Sequence, residues 1–111
     1  MANYIIYFNQ NWVGNHESKW YESRGPLARQ VVEEMRQAGV LVFAGGLEEE
    51  IEKAIGVKDS GEITEPITNG NVFLGGLTII NVENDEQAKL WGTKIGRACG
   101  WPQEIRKFKG E

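Results

Sequence analysis

The sequence predicts an α+β fold in which two helices cover one face of a single sheet, and three observations carry that reading. Residues 27–38 place Leu27, Val31, Met35 and Ala38 on one helical face. Gly39 stands where helices favour a glycine just past their end, and Val40-Leu41-Val42-Phe43-Ala44 follows at once as a buried-strand run. Nearer the C-terminus residues 72–82 form the longest apolar run and lead directly into a second amphipathic stretch.

Taken in order, residues 3–8 are rich in Tyr, Ile and Phe and read as a first strand, central in the sheet. Residues 9–25 read as a polar loop carrying Trp12, Trp20 and Tyr21, with Ser23, Gly25 and Pro26 marking the approach to the first helix. A loop of that length in a small domain is functional or partly helical, so a short extra turn is expected at residues 17–21. After the strand at 40–44, Gly45-Gly46 permits a bend, and residues 49–57 alternate Ile51, Lys53, Ile55 and Val57 against smaller or charged residues. Lys58-Asp59-Ser60-Gly61 is a turn signal, and residues 62–65 return as the partner of a β-hairpin that Pro66 ends. Asn69-Gly70-Asn71 is a loop, and residues 72–82 make a central strand. Asn84 with Gln87 forms a capping pair, and Asp85 and Glu86 favour the positive end of the helix that follows. Ala88, Trp91, Ile95 and Ala98 share its inner face, Gly100 and Pro102 stop it, and residues 104–108 form a last, half-exposed strand. The order β, α, β, hairpin, β, α, β is a ferredoxin-like split βαβ arrangement with an inserted β-hairpin.

The chain has 111 residues, 41% of them hydrophobic, which suits one domain spanning 1–111 with a modest core. Its net charge of -4 and merely loose C-terminal basic excess argue against nucleic acid as a partner. The opening Met1-Ala2-Asn3-Tyr4 has no basic leader, and its apolar run is too short to span a bilayer; the expected location is the cytoplasm, with no membrane partner. A single cysteine, Cys99, excludes an intrachain disulfide and reads as an inert thiol near a helix end. Strand residues pointing away from two helices on one face would leave a larger apolar patch than soluble monomers carry. A symmetric homodimer, sheet against sheet, is the expected solution.

The first strand Tyr4-Ile5-Ile6-Tyr7, the join Ala38-Gly39-Val40-Leu41-Val42 with Gly46-Leu47, the turn Asp59-Ser60-Gly61-Glu62 and above all Leu74-Gly75-Gly76-Leu77-Thr78-Ile79-Ile80 before a helix are similar, in order and spacing, to the YCII-related family. Within it, the chain resembles the branch called DGPF-domain proteins, over nearly its whole length. The resemblance implies a dimeric α/β-barrel fold with a cleft between the sheet and the loops. Where that branch has Asp-Gly-Pro-Phe, this chain has Thr64-Glu65-Pro66-Ile67 and keeps only the proline. The resemblance also implies a His and Asp pair around the first helix, but Gln37 occupies the acid's place and residues 27–38 contain no histidine.

Among residues that could carry chemistry, His16 is the only histidine and the candidate general acid or base, against the plainer reading of a solvated surface imidazole. Trp12, Trp20 and Tyr21 are candidate ligand-binding residues, balanced against packing across the core or the dimer. Phe43 and Phe73 read first as core and second as the floor of a cavity. Glu48-Glu49-Glu50 alternates faces with no histidine beside it, so a solvated charge run is expected and no metal site. Neither Gly45-Gly46 nor Gly75-Gly76 precedes a helix with the Lys or Ser/Thr of a phosphate cradle, and no cofactor is expected. Two readings result: a homodimer that binds a small organic ligand in its cleft, or, as the resemblance permits, a cofactor-free isomerase, dehalogenase or monooxygenase acting on a small aromatic or lactone substrate. An accessory role beside a transcription system is a third implication of the resemblance.

Overall fold

In chain order the elements are β1 (Ala2–Asn9), α1 (Ser18–Gln37), β2 (Leu41–Gly46), β3 (Gly56–Val57), β4 (Ile63–Thr64), β5 (Leu74–Val82), α2 (Asp85–Cys99) and β6 (Glu104–Lys107), with short 3-10 turns at Gln10–Trp12 and Ile51–Lys53. This computed structural model describes residues 1–68, 70 and 72–110; Asn69 and Asn71 of the expected loop lie outside them. The main sheet has the order β2-β5-β1-β6, every neighbour antiparallel. β1 and β2 therefore run parallel with β5 between them, as a ferredoxin-like split βαβ unit requires.

Strand alternation divides the sheet into two faces. On one face Tyr4 and Ile6 of β1 pair with Ile80 and Thr78 of β5, all four are buried, and α1 and α2 cover them. Ile6, Met35 and Ile80 have no exposed surface; Val31, Trp91 and Ile95 complete the helix side of this core. The other face carries Ile5 and Tyr7 opposite Ile79 and Leu77, all half-buried, with the exposed Phe43 of β2 beside Ile79, and neither helix packs on it. The second helix follows its sequence signals closely. Asn84 Oδ1 accepts the Gln87 N–H at 3.0 Å, and Gly100 closes the helix in the left-handed conformation at φ 76°.

Two expectations need correction. The first helix starts at Ser18, not beyond Pro26, so the supposed long loop shrinks and Pro26 lies inside the helix. Proline removes the bond to the Glu22 carbonyl there, and such a break costs about 3 kcal/mol in a helix interior. Packing of the first two turns, described below, holds the helix together across it. Residues 49–57 do not form one strand either. A 3-10 turn occupies Ile51–Lys53, and only the two-residue strands β3 and β4 pair, as a separate hairpin around the predicted turn. Alternation there has no surface to bury against, and Ile55 is 74% exposed.

The result is a flat body of 43 × 41 × 18 Å with a radius of gyration of 15.5 Å, against about 13 Å for a compact domain of this length. Among the described residues no helix is long and apolar enough to cross a membrane.

Candidate functional site

Over the strand ends of β2 and β5, α1 passes above residues with little or no side chain, lining the gap from Tyr21 to Arg36. Ala44 and Gly46 lie beneath it on the helix face, and the little side chain they carry there leaves a cleft of about 690 Å³. Thr78, buried on the helix face of β5, is the polar group of its floor. Tyr21, Arg24, Ala28 and Arg29 line the α1 side, and Phe8, Cys99 and Trp101 close one end.

Trp101 organises that end. Its ring centroid lies 5.1 Å from Phe8, 5.9 Å from Tyr21 and 6.2 Å from Trp20, and its indole N–H donates to the Gln10 carbonyl at 3.3 Å. Tilted aromatic contacts at such spacings are favourable beyond the area they bury. Phe8 finds room because Gly75 and Gly76 lie against its ring; a Cβ on either would stand within 3 Å of it. The register slip between Phe8 and Asn9 falls at the same place. The glycine pair expected to serve a bend or a close approach therefore serves a close approach.

The candidate residues separate into distinct places. Tyr21 lines the cleft and also a second cavity of about 540 Å³ on its far side, with Trp101 forming the rest of the shared wall. Its hydroxyl donates to the Gly14 carbonyl at 3.2 Å, tying the short loop to α1. Trp20 stands behind the cleft, sandwiched between the Arg24 guanidinium, 4.9 Å from the ring centre, and His16, stacked at 3.6 Å with planes 12° apart. His16 is exposed and does not line the cleft. Trp12 lies 6.3 Å from Tyr7, a residue of the uncovered sheet face. Phe43 is 58% exposed on that same face rather than in the core. Phe73 is half-buried ahead of β5, where its carbonyl accepts the Gln10 N–H at 2.8 Å.

Two titratable groups of the cleft, Cys99 and Glu33, are shifted by their surroundings. Burial pushes the Cys99 thiol up, beyond what hydrogen bonds from the Trp101 segment and Gln103 and the charge of Arg24 offset; the Gln103 amide donates to its sulfur at 3.2 Å. The thiol thus stays protonated at neutral pH. Glu33 is shifted down by the Gln37 amide, 3.0 Å away, and by its pair with Arg36. Gln37, standing where the family resemblance expects an acid, thus holds a neighbouring carboxylate ionised. Among the described residues no three His, Cys, Asp or Glu side chains converge as metal ligands.

Arg24, Phe8 and Trp101 escaped the sequence reading. Arg24 fell in the supposed loop, and Trp101 was hidden between two helix-stop residues. The usable signal was a fourth tryptophan directly after the helix-ending Gly100. The chain matches no family model and no curated protein significantly.

Proposed function

We propose that the protein binds a small organic ligand in the cleft between α1 and the sheet, as a YCII-related homodimer that needs no cofactor. The observation that carries this is the cleft itself: about 690 Å³, within the size of small-molecule sites, with an aromatic end wall beside several charged side chains of α1. Binding is favoured over catalysis because Cys99 is held protonated, Glu33 is engaged by Arg36 and Gln37, and His16 is stacked outside on Trp20.

The homodimer is supported by surface area. The protomer exposes 7800 Å², whereas a compact chain of this mass exposes about 6200 Å². A standard interface takes about 800 Å² from each partner. The excess of about 1600 Å² covers such an interface twice over. The uncovered face with Ile5, Leu77, Ile79 and Phe43 is the surface on which two sheets would close into a dimeric α/β barrel.

A thermal-shift screen of aromatic acids, lactones and quinols tests the ligand reading. One class is expected to raise the melting temperature, with a gain of about 2.7 kcal/mol at a hundred times the dissociation constant, and Trp101→Ala is expected to abolish the response. Absence of any response in all three classes overturns the reading. Chemical conversion of a hit would replace it with the cofactor-free enzyme.

A further inference from the structure

We infer that the occupant of this cleft is a flat aromatic carboxylate whose anionic group is held by Arg24, an inference that rests on the cleft being the ligand site. The whole chain carries a net charge of -4, yet the cleft reverses that sign. Arg24, Arg29 and Arg36 line it against Glu33 as the acidic member, and Glu33 and Arg36 pair with each other. Arg24 and Arg29 have no carboxylate partner among the described residues.

Arg24 is the stronger of the two as an anchor. Its Nε is buried and makes no hydrogen bond. A buried Nε is closed to a ligand, so the terminal nitrogens of the guanidinium are the donors an anion would meet. The guanidinium is also held in place, since it lies over the Trp20 ring at 4.9 Å, and Trp20 is itself stacked on His16. A fixed planar guanidinium recognises a planar carboxylate with little loss of freedom. Arg29 adds positive charge beside it: its Nη1 folds back onto α1, and a Cβ on Gly25 would stand 3.2 Å from it.

The body of the ligand is set by the rest of the wall. Phe8, Tyr21 and Trp101 present ring faces and edges, and the floor of Ala44 and Gly46 admits a flat group without offering it hydrogen bonds. The Thr78 hydroxyl is the polar group available beneath it. A neutral ligand of the same shape would fill the apolar part and leave the Arg24 guanidinium without an anionic partner.

Calorimetric titration of the full chain with benzoate and 2-naphthoate, beside benzamide and 2-naphthamide, tests this. The acids are expected to bind at least about tenfold tighter than their amides. Arg24→Gln should erase that preference while the amides still bind, and Arg24→Lys should restore part of it; amide binding also shows that the variants remain folded. Equal affinity for acids and amides, or a preference that survives Arg24→Gln, overturns the assignment and leaves the cleft as a site for neutral ligands. Failure of both series while a lactone or quinol binds has the same meaning. Failure of every compound overturns the assignment and the cleft reading together.

Discussion

Gly100 and Trp20 meet where the end of α2 touches the start of α1: a methyl group on Gly100 would stand 2.6 Å from the Trp20 ring. Gly39 ends α1 at the same φ of 76°, but nothing lies within 4 Å of where its Cβ would be. The two glycines therefore separate backbone strain from packing. Gly39→Ala should cost about 1–2 kcal/mol for the left-handed conformation alone. Gly100→Ala should cost about 1–3 kcal/mol more, because an overpacked contact is added. Urea denaturation of the two variants measures the difference, and equal losses would mean that Trp20 moves aside freely.

Pro26 interrupts the hydrogen bonds of α1 well past its first turn, where its missing N–H is not among those a helix leaves free. Pro26→Ala should stabilise the chain by about 1–2 kcal/mol, the recovered helix bond being partly offset by the greater freedom of the unfolded chain. A lower urea midpoint in this variant would show that the neighbours depend on the break.

Phe43 is largely exposed at the sheet edge of the uncovered face, so a charge there can be tolerated by the protomer but not by a second sheet pressed against it. Light scattering at micromolar concentration should give a dimer mass for the parent chain and a monomer mass for Phe43→Asp. A monomer mass for the parent chain would end the dimer proposal.

Stability should fall on the alkaline side. The Tyr4 hydroxyl donates to Asp85 at 2.7 Å, which raises its pKa, and burial raises that of Cys99. Both groups hold their protons more tightly folded than unfolded, so their contribution is complete below the ordinary values and is lost as pH climbs through the raised ones. The decline begins near the ordinary thiol value of about 8.5 and continues past the tyrosine value of about 10. Urea midpoints at pH 7.5 and pH 10 check the slope, and Tyr4→Phe combined with Cys99→Ser should reduce it, the remainder coming from Tyr7, which the Glu104 carboxylate likewise raises. Glu33 acts in the opposite range: its lowered pKa adds stability above the ordinary carboxylate value that is lost on acidification.

What the sequence made legible depended on whether local and distant forces agree. For β5 and α2 they do: the apolar run is buried on the helix face, and the Asn84 cap and Gly100 stop act where their chemistry predicts. Around Ser23, Gly25 and Pro26 they conflict. The local signals mark a boundary, but Trp20, Tyr21 and Arg24 pack against Trp101 and its surroundings at the other end of the chain, and that contact carries the helix through the proline. Arg24 was unreadable for the same reason, since its role depends on a tryptophan stacked on a histidine. The alternation at 49–57 failed differently, because a period of two records a willingness to pair and not the presence of a partner.

The floor of Ala44 and Gly46 makes the cleft a product of omission. Its capacity is written into the edge strand β2 one side chain at a time, apart from the core of Ile6, Met35 and Ile80. A larger side chain at Ala44 would therefore shrink the cleft while leaving the core as it is, and on the proposed ligand reading Ala44 is the position at which occupant size would be set.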